Sequence, residues 1–229
     1  MKKIKEKIKV ISFDVDGTLV PPDFVNGVWL EGIPSLYAYK NKISFEKAYE
    51  IVIKAYDEVG ENRIEWYYLE YWLKRFNLGI TREKLFNKYK NRIKIYEEVE
   101  HVLKKLNSRY KLIICSNAER DFIFFQLKSI IPYFSHIFSA TSDFKQVKKS
   151  EEFYGKVCEL LQVKPDEIIH VGDHPIFDYV NPRKIGINAF LLNRKQNEKE
   201  INNNCNNNYI NVSENHVIKD LREILKILD

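Results

Sequence analysis

Five short, almost wholly apolar runs punctuate this chain: IKVISF (8–13), YKLIICS (110–116), HIFSA (136–140), EIIHVGD (167–173) and NAFLLN (188–193). Runs of this kind suit strands covered on both faces, as in a parallel sheet. Most of them are separated by stretches with helical spacing. Val99, Val102, Leu103 and Leu106 recur at helical intervals within 97–107, and similar patterns fill 119–130 and 150–161, with Ser150 placed to cap the last. Strands alternating with helices predict an α/β fold: a mostly parallel sheet, helices on both faces, and the C-terminal strand ends along one edge.

Residues 20–96 break that rhythm, because 44–60, 61–79 and 81–93 look like successive helices and no strand signal interrupts them. They predict a small all-helical unit inserted straight after the first strand, dividing the chain into an α/β core (1–19 and 97–229) and a helical insert (20–96). Within it, Trp66, Tyr67, Tyr68, Tyr71, Trp72 and Phe76 follow the spacing of one helix face and are expected to pack as core. The tract 194–208 is polar and Asn-rich, which suggests a surface loop, and 217–228 (VIKDLREILKIL) has the pattern of a closing amphipathic helix.

The 37 Lys and Arg against 32 Asp and Glu leave a formal charge of only +5, spread over several segments. No nucleic-acid-binding module accompanies it, so no nucleic-acid partner is expected. No apolar run approaches the length of a membrane span. Charges interleave with the apolar residues of MKKIKEKIKVISF, unlike a secretory signal. Three widely spaced cysteines, Cys115, Cys158 and Cys205, form neither a zinc pattern nor a disulfide framework. A cytoplasmic protein without a membrane partner is expected.

The first apolar run ends on Asp14 and Asp16, in FDVDGT. Asp and Gly commonly turn a chain, so this pair alone says little. Three other strand ends add to it: Ser116 and Asn117 after the second run, Lys148 and Lys149 before a helix, and Asp173 with Asp178 after the fourth run. Phosphoryl transfer needs these kinds of groups. A carboxylate can attack an anionic ester only where cations offset the repulsion. Clustered carboxylates make an oxygen site suited to magnesium. A lysine and a hydroxyl supply charge and donors to the phosphoryl oxygens. A second acid must protonate the leaving oxygen, and crowded carboxylates can raise its pKa for that task.

The ordered set Asp14-Val-Asp16-Gly-Thr18, Ser116-Asn117, Lys148 and Gly172-Asp173 with Asp178 resembles the motifs of the haloacid dehalogenase superfamily of phosphohydrolases. The resemblance spans the α/β portion, and the helical insert sits where that family carries its cap. It implies a Rossmann-like core and magnesium as cofactor. Asp14 would be the nucleophile that becomes an aspartyl-phosphate, and Asp16 the acid and then the base. Thr18, Ser116, Asn117 and Lys148 would contact phosphate, with Lys149 as the alternative lysine. The metal would be held by Asp14, the Asp16 carbonyl, Asp173 and Asp178. An Asp at 16 is the phosphotransferase form, since a halide leaves without a proton. The substrate implied is a small phosphorylated metabolite, because a cap shuts out macromolecules. A phosphosugar mutase and a non-catalytic phospho-ligand module remain as alternatives. His170 reads as a packed core histidine, and Cys115 as a buried structural thiol turned away from Ser116 by strand alternation.

Overall fold

The computed structural model describes residues 6–194, 212 and 214–229. Its centre is a six-stranded sheet in the order β3-β2-β1-β4-β5-β6. The strands are β1 (Val10–Phe13), β2 (Lys111–Ser116), β3 (His136–Ser139), β4 (Ile168–Gly172), β5 (Asn188–Leu192) and β6 (Val217–Ile218). Every neighbouring pair is parallel. The Rossmann-like α/β expectation is therefore met.

Pleat alternation sorts the strand residues between two cores. Ile11, Phe13, Leu112, Ile114, Ile169 and Val171 point to one face, where α5 (Val99–Asn107), α6 (Arg120–Leu127) and α8 (Arg222–Leu228) cover them. Val10, Ile113, Cys115, Phe138 and Ile168 point to the other, beneath α7 (Glu151–Leu161). Ser150 caps α7 as expected, its hydroxyl accepting from the Phe153 amide.

Strand register places the site. Phe13 lies level with Ile114 on one side and Val171 on the other. Asp14, one residue on, therefore emerges between the ends of β2 and β4. The chain turns to opposite sides of β1 there, and such a switch point leaves a crevice at the strand ends.

The helical segments between β1 and β2 include Asp23–Asn26, a π-helical stretch Gly27–Gly32, α1 (Ile33–Asn41), α2 (Phe45–Val59), a 3-10 turn Ile64–Tyr67, α3 (Leu69–Arg75) and α4 (Arg82–Tyr89). The chain departs and returns side by side, with the Tyr96 amide donating to the Leu19 carbonyl at 3.1 Å. Phe24, Tyr56, Leu69, Trp72, Leu85 and Phe86 are among the residues of a separate apolar cluster, which Phe122 of α6 joins from the sheet side.

Two expectations need correction. The run 61–79 is not one helix. The Glu119 carboxylate accepts from the Leu69 amide at 3.0 Å, so a side chain distant in sequence caps α3 at Leu69 and leaves Tyr68 extended. The aromatic face is split as a result: Trp72 and Phe76 are core, whereas Trp66 and Tyr67 line a cavity. The closing segment is also not helical throughout. Val217 and Ile218 pair with Leu191 and Leu192, and the helix begins only at Arg222. There the Asp220 carboxylate accepts from the Arg222 amide, and Glu223 accepts from the amides of Lys219 and Asp220. The Asn-rich tract expected as a loop lies, apart from Arg194, outside the described residues.

Trp72 is wholly buried, meets Tyr56 edge-on at 4.6 Å between ring centroids, and donates its indole N–H to the Trp66 carbonyl at 3.1 Å. Trp72→Ala is expected to lower the free energy of unfolding by about 3–5 kcal/mol in a urea titration, and a loss under about 1 kcal/mol would deny it that packing role.

Candidate active site

Asp14 continues the β1 ladder, its amide donating to the Val171 carbonyl at 2.9 Å. The loop then folds tightly back: Leu19 N–H donates to the Val15 carbonyl, and Gly17 N–H to Val20. Val15 and Leu19 are fully buried anchors. Gly17 is required twice over. Its φ of 80° is left-handed, and a Cβ there would lie 2.1 Å from Asp173 Oδ2.

Lys149 occupies the middle of the site. Its Nζ lies 2.5 Å from Asp14 Oδ1, 2.5 Å from Asp178 Oδ1 and 3.1 Å from the Cys115 carbonyl, and the residue is only 2% exposed. Its backbone is clamped at both ends. Asn117 Oδ1 accepts from the Lys149 amide, and Asn181 Nδ2 donates to the Lys149 carbonyl, each at 2.8 Å. Burial disfavours the ammonium, but the two carboxylates outweigh it and raise its pKa.

The expected lysine, Lys148, is elsewhere. Its ammonium meets Glu61 Oε1 at 2.8 Å and Asn62 Oδ1 at 3.1 Å, on the helical side. Lys149 directly precedes the cap Ser150, and its pinned peptide aims it at the strand ends. The preceding residue of this non-helical segment is turned the other way, so the alternative left open in the sequence is the one that reaches the carboxylates.

Asp178 comes from a π-helical segment, Pro175–Val180, and is almost fully buried. Its Oδ2 accepts from the His174 amide at 3.0 Å, while Oδ1 faces Lys149 and His170 Nε2. Burial alone would raise this carboxyl, yet Lys149 and His170 hold it well below the usual range. Gly172 makes room for it, since a Cβ there would meet Asp178 Cγ at 2.3 Å. His170 is more than packing. Its Nδ1 pairs with Ser12 Oγ at 2.8 Å, and its Nε2 lies 3.0 Å from both Asp178 and the Tyr154 hydroxyl. Burial lowers its pKa, which keeps the ring neutral. A signal for this network was present: Ser12 and His170 are polar residues at paired positions of adjacent apolar strands.

Asp16 stands apart from that cluster. Gln126 Nε2 of α6 donates to its Oδ1 at 3.2 Å. Burial pushes the Asp16 carboxyl up to about 6, against the pull of Gln126 and Lys149. Burial, not the crowding of carboxylates foreseen from the sequence, is the main cause. Gln126 is 2% exposed within the otherwise apolar FIFFQL, which is the only hint of it in the sequence.

Asp14, Asp173 and Asp178 can each direct a carboxylate oxygen to one locus, these atoms lying within 4.8 Å of one another. The Asp16 carboxylate is not in that group. Ser116 ends β2 with its Oγ accepting from the Ala118 amide at 3.1 Å. Two expected phosphate contacts change place. Thr18 is wholly buried, and it ties the loop down through its carbonyl, which accepts from Arg194 at 2.7 Å. Asn117 spends its side-chain oxygen on Lys149, so it positions the lysine. Cys115 is buried, and burial pushes its thiol up to about 12, in keeping with a structural role.

A family model of haloacid dehalogenase-like hydrolases matches residues 8–179, from β1 through Asp178. The chain belongs to the haloacid dehalogenase-like hydrolases. A curated relative from Danio rerio, haloacid dehalogenase-like hydrolase domain-containing protein 3, is 27% identical over 95 residues, covering 42% of this chain and 36% of that one. Glyceraldehyde 3-phosphate phosphatase of Pyrococcus furiosus is 25% identical over 193 residues, 79% of each chain. The crystal structure of a HAD phosphatase from Thermococcus onnurineus superposes with a TM-score of 0.80 at 24% identity, covering 96% of this chain and 98% of that one, which shows the fold.

The two lysines of this HAD-like hydrolase should separate in stability. Lys149→Met leaves two buried carboxylates unpaired and should cost about 3–5 kcal/mol at pH 7. Lys148→Met should cost under about 1 kcal/mol, as for an outer ion pair. Asp178 is held below its unfolded pKa, so its share of the wild-type stability is present above about pH 4 and fades below it. In Lys149→Met the unpaired acids gain protons as pH falls. The gap between variant and wild type should therefore narrow on acidification, as followed by denaturant titration. Equal losses for the two lysines at pH 7 would reverse their assignment.

Proposed function

We propose that this hydrolase is a magnesium-dependent phosphatase that releases phosphate from a small phosphorylated metabolite through an aspartyl-phosphate on Asp14. One observation carries the reading. Asp16 lies two residues from Asp14, outside the Lys149 cluster, with burial lifting its carboxyl toward neutrality. A carbon–halogen substrate has no use for such an acid, whereas an alkoxide leaving group needs its proton. The printed activity of the Pyrococcus furiosus relative supports the same direction.

The donor set fits magnesium. It is all oxygen, and three clustered carboxylates (Asp14, Asp173 and Asp178) are accompanied by a single buried lysine. Asp14 and Asp173 would hold the ion. Asp178, whose oxygens are engaged by Lys149, His170 and the His174 amide, would support it from behind. Bound there, the metal supplies positive charge against the phosphoryl oxygens.

The residues of the chain divide the remaining work. Burial and the neighbouring acids raise the Asp14 carboxyl well above the usual range, and Lys149 opposes that rise and fixes the group in direction. The Asp14 carboxylate attacks phosphorus, and the bond from phosphorus to the leaving oxygen breaks as Asp16 gives that oxygen its proton. The Asp16 carboxylate then takes a proton from water, which attacks phosphorus and frees both phosphate and Asp14. Ser116, at the end of β2, supplies a hydroxyl for a phosphoryl oxygen.

Phosphate release from p-nitrophenyl phosphate should vanish in Asp14→Asn and on chelation, and return with added magnesium. Release that survives Asp14→Asn would remove the covalent step. Asp16→Asn should lower kcat/KM on alkyl phosphates by about 10²–10⁴-fold while sparing that on the nitrophenyl ester, whose leaving group needs little help; kcat should fall on both, because the second step needs Asp16 as base. Equal losses in kcat/KM on both esters would take the acid role from Asp16.

A further inference from the structure

A cavity of about 300 Å³ opens beside Asp16, between α6 and the helical segments. Its walls are aromatic: Trp29, Tyr56, Trp66, Tyr67 and Phe122. Trp29 lies parallel to Phe122, with centroids 5.8 Å apart and planes at 13°, and meets Tyr56 edge-on at 6.0 Å. The backbone carrying Trp29 is pressed firmly onto α4. A Cβ on Gly27 would come within 2.7 Å of the Tyr89 ring, and one on Gly32 within 2.9 Å of Leu85. The aromatic wall is thus built on a tightly packed segment.

The polar groups along the cavity are mostly engaged. The Tyr56 hydroxyl donates to the Trp29 carbonyl and the Tyr67 hydroxyl to Glu61. Asn117 Oδ1 holds Lys149, and Glu119 accepts from the Leu69 amide and from Arg82. Among the described residues, no lysine or arginine lines the space, and its two ionisable acids are Asp16 and Glu119. Asn26 adds one side-chain amide to the lining, so most hydroxyls of a polyol placed here would still go without partners. A second phosphate would face carboxylates instead of cations. A flat, uncharged ring would meet aromatic surface on several sides.

We propose that this cavity receives the leaving group, and that the natural substrate is a phosphate monoester of an uncharged alcohol bearing a flat aromatic ring. The proposal rests on the phosphatase reading and narrows it. Asp16, which lines the cavity, is where the oxygen of such an alcohol would take its proton. The volume stands near the lower end of ligand pockets, which run from about 300 to 1,000 Å³, and suits one or two fused rings with a short linker.

The test compares esters with leaving alcohols of similar basicity, so that chemistry does not mask recognition. With magnesium present, kcat/KM for 2-naphthylmethyl phosphate should exceed that for glycerol 3-phosphate by about tenfold or more, and a bisphosphorylated sugar should be poorer still. In Trp66→Ala the ratio of naphthylmethyl to glycerol ester should fall by at least about threefold. Trp66 receives the Trp72 hydrogen bond through its carbonyl, so the substitution keeps that contact. Equal loss on both esters would count against the inference. A binding arm uses calorimetry with 2-naphthylmethanol alone, which should bind the wild type and bind Trp66→Ala more weakly. Glycerol 3-phosphate or the bisphosphate turned over as well as the aromatic ester would overturn the inference while leaving the phosphatase reading in place. Naphthylmethanol binding without hydrolysis of any ester would keep the aromatic cavity and sink the phosphatase reading. Absence of both binding and turnover would sink both.

Discussion

The contact on which the site depends is the ammonium of Lys149, held between Asp14 and Asp178 away from water. A buried charge of this kind is costly unless its partners are close and its other donors are satisfied. Both conditions are met: two carboxylates sit at 2.5 Å, and the Cys115 carbonyl takes a further hydrogen. The demand then spreads outward. Asn117 and Asn181 hold the lysine peptide, His170 and the His174 amide hold Asp178, and Ser12 holds His170. The ends of β1, β2 and β4 and the start of α7 are tied to a single point by these bonds.

Around that point the carboxylates live in different environments, and their chemistry differs accordingly. Asp178 is paired and kept ionised. Asp173 stands at the solvent side, over the glycine whose left-handed backbone lets it approach. Asp16 faces Gln126 and apolar surroundings, which favour its protonated form. The same residue lines an aromatic cavity. Polar and apolar halves of the crevice thus meet at Asp16. Two π-helical stretches serve this arrangement, one carrying Trp29 and the other Asp178; such widened turns often mark functional sites.

Glu119 shows how one side chain can decide the shape of a distant segment. By accepting from the Leu69 amide it ends the 3-10 turn and starts α3, so Trp66 and Tyr67 are released from the helix face their spacing suggests. Arg82 reaches the same carboxylate and also pairs with Asp121. The residues around the cavity are therefore held from both the α/β and the helical sides.

The parallel sheet, its two covering layers and the run of helices between β1 and β2 were legible because apolar period and run length are local properties of the chain. The motif acids were legible too, since strand ends bring consecutive residues to one edge whatever the remaining packing. Four matters were settled only by the tertiary structure. Which of two adjacent lysines turns inward depends on Asn117 and Asn181, far away in sequence. The break before Leu69 depends on Glu119. The polar duty of His170 depends on strand register with Ser12, and the environment of Asp16 depends on Gln126 across the crevice. Sequence alone determined which chemical groups this chain carries to the sheet edge. Only the folded chain decided which are buried and which are paired, because burial and pairing depend on neighbours that local pattern does not reveal.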